Sequence, residues 1–204
     1  MRVKVCGITN VKDAVLCAEL GTDALGFIFY KKSKRFINIE NAKKIIAAVP
    51  SFTSKVGVFV NESANVINDT ALNIGLSHIQ LHGEEDQSIV DEIKLPVIKA
   101  IRINSLNDYE KVNNYSNCKF LLDTFSPKDF GGTGRKFDWS EIPAQMKSKI
   151  ILSGGIEKDD LNFIFSEIHP EAIDLSSSLE ILPGKKDSNK LIDFFTELRQ
   201  LRGF

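Results

Sequence analysis

Hydrophobic positions along the chain come in two alternating textures. Short runs rich in Val, Ile, Leu and Phe occupy Val3–Cys6, Ala24–Phe29, Lys55–Val60, His78–Leu81, Val97–Ala100, Phe120–Asp123, Ile150–Leu152 and Ala172–Leu175. Each is bounded by Gly, Pro, Asn, Asp or Ser, and each reads as a strand buried on both faces. Between them lie longer amphipathic stretches. Val11–Leu20 follows Asn10, a good N-cap, carries Asp13 in a capping-box-like position and ends at Gly21. Ile39–Val49 stops before Pro50, Ser63–Ile74 at Gly75, and Asp86–Ile93 before Pro96. Ser105–Asn114 has Leu106, Tyr109 and Val112 at helical spacing. Trp139–Met146, whose pattern is weak, Asp159–Ile168 and Ser188–Leu201 complete the set.

Strict alternation of strand and helix predicts a parallel sheet. Eight repeats predict closure, so the fold class is α/β and the architecture a single (β/α)8 TIM barrel spanning residues 1–204. An open doubly wound sheet is the structural competitor. Nothing in the chain marks a linker or a second domain. The segment Ser126–Asp138, with Gly131-Gly132-Thr133-Gly134, is too glycine-rich for regular structure and is placed like a mobile lid.

Composition narrows the partners. The 26 basic and 27 acidic residues nearly cancel and are scattered, which argues against nucleic acid as a ligand. No apolar run reaches the roughly 18 residues of a membrane span, and the N-terminus lacks a signal-peptide shape. Cys6, Cys17 and Cys118 form no CxxC pair and leave one over from any pairing, so a reducing cytoplasm is expected. No cluster has metal-ligand spacing.

In such a barrel the chemistry lies where strands end. Ser153-Gly154-Gly155-Ile156 follows the seventh strand and Ser176-Ser177-Ser178 the eighth, the two loops that usually cradle phosphate. Two glycines would bare backbone N–H donors, and the serines could open a short extra helix. Either segment alone reads as a turn or a cap; together they read as a phosphate site. Cys6 ends the first strand and is either a base or a packing thiol. Asp123 terminates an apolar strand, where a carboxylate is costly unless it is solvated, paired or in use; it could also cap the turn through Thr124. Arg35 belongs to the basic run Lys31–Arg35 at the rim, from which a guanidinium could reach a carboxylate. Gln80 and His82 alternate along the fourth strand and should point the same way. Cys17 and Cys118 read as packing residues.

These residues sit in segments that resemble the phosphoribosylanthranilate isomerase family along nearly the whole chain. The segments are Lys4-Val5-Cys6-Gly7-Ile8-Thr9, Leu25–Phe29 with Ser33 and Arg35, Val56–Val60, Ile79-Gln80-Leu81-His82-Gly83, and Leu122-Asp123. They continue with Gly131–Gly134 and Phe137-Asp138-Trp139, then Ser153–Ile156, Asp174–Ser177 through Glu180, and Pro183–Asp187. The resemblance implies a cofactor-free Amadori rearrangement of an aminoaldose phosphate to an aminoketose. It implies Cys6 as general base, Asp123 as general acid and Arg35 as partner of an anthranilate carboxylate. Gln80, His82 and Asp174 count as further substrate-binding positions, and Gly154, Gly155, Ile156, Ser176, Ser177 and Ser178 as the phosphate site. The partner is a small phosphosugar, and a monomer or homodimer is expected. Ser178 stands where the family commonly has glycine and Lys34 where it has proline, which bears on affinity rather than on the acid/base pair. Rival readings are a histidine-pathway type aminoaldose isomerase, which has aspartate at the Cys6 position, and a phosphosugar-binding barrel without turnover.

Overall fold

Side chains of a strand alternate between faces, so a run that is apolar on both must be covered on both. The computed structural model, which describes residues 1–126, 134 and 136–203, meets this requirement by closure. Strands β1 (Arg2–Cys6), β2 (Ala24–Ile28), β3 (Ser54–Phe59), β4 (His78–Leu81), β5 (Val97–Ile103), β6 (Cys118–Thr124), β7 (Ile150–Leu152) and β8 (Ala172–Leu175) run parallel in sequence order. β8 pairs back onto β1 with Lys4 opposite Asp174, which rules out the open sheet.

Helices α1 (Val11–Leu20), α2 (Ile39–Ala48), α3 (Ala64–Ile74), α4 (Gln87–Glu92), α5 (Ala144–Lys147), α6 (Leu161–Phe163) and α7 (Ser188–Arg202) follow β1, β2, β3, β4, β6, β7 and β8. Outward residues such as Val3, Leu25, Phe27, Ile79, Leu122 and Ile173 share one core with Ala14, Ile45, Ile67, Leu191 and Phe194 of the helices. A second, smaller core of Val56, Ile98, Ala100 and Leu121 fills the barrel interior. It is backed by Ala24 and Ile151. Inward positions nearer the C-termini of β1, β4, β6 and β8 are polar, while Ile28 and Val58 keep those of β2 and β3 apolar.

The N-cap expected at Asn10 forms: its side chain accepts from the Asp13 amide. Three helical expectations are corrected. Leu106–Asn114 is a 3-10 helix, not an α-helix, started by Asp108 accepting from the Asn104 and Ser105 amides. Its Asn- and Asp-rich sequence, whose side chains compete for the backbone, suits short turns better than a long α ladder. Trp139–Met146 breaks at Pro143 into a 3-10 turn (Trp139–Glu141) and α5. Asp159–Ile168 is a 3-10 turn, the short α6 and a π turn (Ile164–Ile168), ended by His169 with φ of 51° ahead of Pro170. The short helix expected at Ser176–Ser178 is a 3-10 turn over Ser177–Leu179. An unforeseen hairpin of β9 (Glu180–Leu182) and β10 (Lys185–Lys186) follows it. β5 also runs to Ile103, beyond the expected Ala100. Most of the expected lid Ser126–Asp138, residues 127–133 and 135, lies outside the described residues.

A buried polar knot fixes the loop after β4. Lys99 points outward from β5, and its Nζ donates to Gly83 O at 2.7 Å and to Glu85 Oε2 at 2.9 Å. Glu85 Oε1 in turn accepts from the Asn61 and Gly83 amides at 2.7 and 3.1 Å. Both side chains are almost wholly buried. Removing one partner of such a pair strands the other's charge. Lys99→Met should therefore cost about 3–5 kcal/mol of folding stability in urea unfolding. A loss below about 1 kcal/mol, the range of exposed ion pairs, would show that the knot is solvated.

Candidate active site

The polar end of the barrel opens into two adjoining depressions. One, of ≈ 520 Å³, is lined by Cys6, Arg35, Gln80, His82, Asp123 and Asp174 among others. The second, of ≈ 310 Å³, is lined by Gly154, Gly155, Ile156, Ser176, Ser177 and Ser178, with Gly134 at its edge. Asp123, Ser153, Asp174 and Ser176 belong to both. Every candidate residue named from the sequence thus reaches one continuous concavity. Among the described residues, no group of His, Cys, Asp and Glu is placed to hold a metal ion. No described helix is long and apolar enough to cross a membrane.

Cys6 is buried at the end of β1. Lys4, two residues earlier on the same face, donates to Asp174 Oδ2 across the β1–β8 seam at 2.9 Å. From β10, Lys186 Nζ donates to the carbonyls of Cys6 (2.7 Å) and Ser176 (3.1 Å) and to Glu180 Oε1 (3.0 Å). Burial pushes the Cys6 thiol above its ordinary pKa, and the attraction of Lys4 and Lys186 does not offset this. Burial also opposes the Lys4 charge, yet the neighbouring Asp174 more than compensates and raises its pKa. Asp174 Oδ1 and Gln80 Oε1 are buried acceptors with no partner among the described residues. Such orphans are costly, and in a concavity they suit ligand hydroxyls.

Asp123 caps the following turn and is also paired within the cavity. Its Oδ1 accepts from the Thr124 amide at 2.9 Å, while Oδ2 lies 3.2 Å from His82 Nε2. Gln80 Nε2 lies 2.7 Å from His82 Nδ1. An amide donating to Nδ1 assigns the imidazole proton to Nε2, where it is aimed at Asp123. Gln80 and His82 do point the same way, but His82 meets the carboxylate directly. Arg35 is drawn inward rather than solvated: Nε and Nη2 grip Glu180 at 2.8–3.0 Å. Burial would raise the Glu180 carboxyl, but Arg35 and Lys186 outweigh it and hold it below the usual carboxylate range.

In the second depression Gly154 and Gly155 take φ of 94° and 68°, a region that side chains other than glycine disfavour. A Cβ at Gly154 would also run into the Thr124 side chain and lie 3.3 Å from Asp123 Oδ1. Ser176 Oγ lies 3.3 Å from Cys6 O and donates to it. The sequence reading passed over Lys4, Glu180 and Lys186 as functional groups. Lys4 left a signal: a lysine on the same strand face as Cys6 is an inward charge. Glu180 and Lys186 lie in the resembling segments, but nothing local tied them to Arg35 or Cys6.

Fold and rim together define a class: a (β/α)8-barrel enzyme whose chemistry sits at the C-terminal ends of its strands. Residues 3–197 match the family described as N-(5'phosphoribosyl)anthranilate (PRA) isomerase. The N-(5'-phosphoribosyl)anthranilate isomerase of Pelobacter propionicus is 42% identical over 99% of this chain and 97% of its own. The solved phosphoribosyl anthranilate isomerase of Thermus thermophilus superposes with a TM-score of 0.91, at 34% identity over 99% of this chain and 100% of its own. A phosphoribosyl anthranilate isomerase in complex with reduced 1-(o-carboxyphenylamino)-1-deoxyribulose 5-phosphate gives 0.87, at 38% identity over 100% of both chains. The chain belongs to the N-(5'-phosphoribosyl)anthranilate isomerase family.

The burial of Cys6 has a measurable consequence. Alkylation by iodoacetamide follows the thiolate fraction, so in the unliganded protein the rate at Cys6 should rise with a midpoint above the usual thiol value of about 8.5. Cys17, pushed up to about 12 by burial, should likewise react only at high pH. Peptide mass mapping across a pH series separates the sites. A Cys6 midpoint below 8.5 would mean that the two lysines outweigh burial.

Proposed function

We propose that the protein converts N-(5-phosphoribosyl)anthranilate to 1-(2-carboxyphenylamino)-1-deoxyribulose 5-phosphate in tryptophan biosynthesis, with Cys6 as general base and Asp123 as general acid. The observation that carries this reading is the meeting of Cys6 and Asp123 in one cavity that continues into the double-glycine and serine cradle. Backbone N–H groups of Gly154, Gly155 and Ile156, with Ser176, Ser177 and Ser178, hold the phosphate. Arg35 pairs with the anthranilate carboxylate. The unpartnered oxygens of Gln80 and Asp174 receive ribose hydroxyls. His82 holds Asp123 at the ring oxygen.

Asp123 delivers its proton to the furanose oxygen as the C1–O bond breaks, and the amine lone pair closes to an iminium. Cys6 then removes the C2 proton, leaving an enolamine. A proton added at C1 and one lost from the C2 hydroxyl give the ketone. The sequence is redox-neutral and calls for no cofactor. The iminium's positive charge, present once the ring has opened, would favour the thiolate that burial disfavours in the free protein: the thiol proton leaves to solvent, and the thiolate then takes the C2 proton. The whole chain acts as one catalytic domain in the cytoplasm, as a monomer or homodimer.

A turnover assay with N-(5-phosphoribosyl)anthranilate tests the reading. Asp123→Asn and Cys6→Ser should each lower kcat by about 10²-fold or more while substrate binding persists. A kcat within threefold of the parent for either variant removes that residue from the mechanism. Binding without turnover in the parent protein would favour a phosphosugar-binding barrel instead.

Arg35→Met should weaken binding of carboxylated ligands by roughly 1.5–3 kcal/mol, the range for a charged hydrogen bond, and leave inorganic phosphate nearly unaffected. Titration calorimetry with both ligands reads this out. Equal losses would show that Arg35 does not face the carboxylate.

A further inference from the structure

Arg35 alone does not make a receptor. A guanidinium on a long side chain is mobile, and its affinity depends on how much freedom it has already lost. Here one edge is fully committed: Nε donates to both Glu180 oxygens at 2.9 and 3.0 Å and Nη2 to Oε2 at 2.8 Å. Glu180 is itself pinned from two further sides, by Lys186 Nζ at 3.0 Å and the Gly184 amide at 3.2 Å. Arg35 Nη1 makes no hydrogen bond among the described residues, and Arg35 lines the cavity that holds Cys6 and Asp123. Arg35 and Lys186 against Glu180 leave a net charge of one positive, which a single carboxylate neutralises.

We infer that Glu180 is a positioning residue: it locks the Nε–Nη2 edge of Arg35 so that the Nη1 end is presented, pre-oriented, to the aryl carboxylate of the ligand. The inference rests on the assignment of Arg35 to that carboxylate. Its consequence is selectivity. Loosening Glu180 should cost binding only where the ligand has a carboxylate for Arg35 to hold.

The test measures the affinity of two probes by calorimetry: reduced 1-(o-carboxyphenylamino)-1-deoxyribulose 5-phosphate and its phenylamino counterpart without the carboxylate. Glu180→Gln should weaken the first about tenfold and the second less than twofold. Glu180→Asp keeps the charge but shortens the reach, so it should shift the same ratio in the same direction by a smaller factor. It also covers the case in which Glu180→Gln does not fold. In an Arg35→Met background, Glu180→Gln should leave the ratio of the two affinities unchanged. Equal weakening of both probes would assign Glu180 to general packing, and unchanged or tighter binding of the carboxylated probe would make it a competitor of the ligand. Either outcome overturns the inference while leaving Arg35 in place. If Arg35→Met itself does not separate the probes, the assignment of Arg35 fails and this inference with it.

Discussion

Closure of the sheet at the β1–β8 seam is the constraint on which the rest depends. Pairing Lys4 with Asp174 in register brings residues 170 positions apart to within 2.9 Å inside a space that water barely reaches. Without that seam β1 and β8 would be edge strands, and neither charge would have a partner. With it, Cys6 sits two residues above Lys4, and Ser176 two residues above Asp174. The seam is also stitched from above, where Lys186 bridges the carbonyls of Cys6 and Ser176. One contact between the first and last strands thus sets both the field around the thiol and the position of the eighth loop.

The charged side chains in this narrow interior balance, although Asp174 Oδ1 and Gln80 Oε1 keep no partner among the described residues. Lys4, Lys186 and Arg35 face Asp174, Glu180 and Asp123 around the two depressions. Read with the proposed mechanism, that balance has a use. A proton on Asp123, needed to open the ring, leaves the set net positive, which suits a substrate carrying a carboxylate and a phosphate. In the proposed mechanism the burial that disfavours the Cys6 thiolate in spite of Lys4 and Lys186 would be overcome only when the iminium forms beside it.

The architecture was legible because it is written in repetition. Eight apolar runs between amphipathic stretches leave few topologies, and local signals such as Asn10 and Gly21 mark helix ends that form as expected. Rim residues were legible for a related reason: Cys6, His82 and Asp123 each stand at or next to the end of a run, where the fold puts its chemistry. What failed was local or long-range in kind. Leu106–Asn114 has helical spacing, but spacing does not distinguish a 3-10 ladder from an α ladder when Asn and Asp compete for the backbone. The β9–β10 hairpin is too short to carry a period. Its charges, Glu180 and Lys186, acquire meaning only through Arg35 and Cys6, which lie 145 and 180 residues away. Arg35, expected at the rim, does line the cavity, but its Glu180 partner could not be read for the same long-range reason.

Gly154 shows how far the two halves of the site are one object. Its positive φ and the closeness of Thr124 and Asp123 leave no room for a side chain, so the cradle's backbone rests directly on the residues that end β6. Asp123 Oδ1 is meanwhile held by the Thr124 amide and Oδ2 faces His82, whose orientation Gln80 fixes. The loop after β4 that carries His82 is tied down by Lys99 and Glu85. A phosphate seated against Gly154 is therefore registered against the carboxylate through contacts of one or two residues, none spanning a long flexible side chain. In the proposed mechanism, binding energy spent on the phosphate, remote from the reacting carbons, would then fix the distance between the sugar and the Asp123 carboxyl, where the acid and the thiol gain most from positioning.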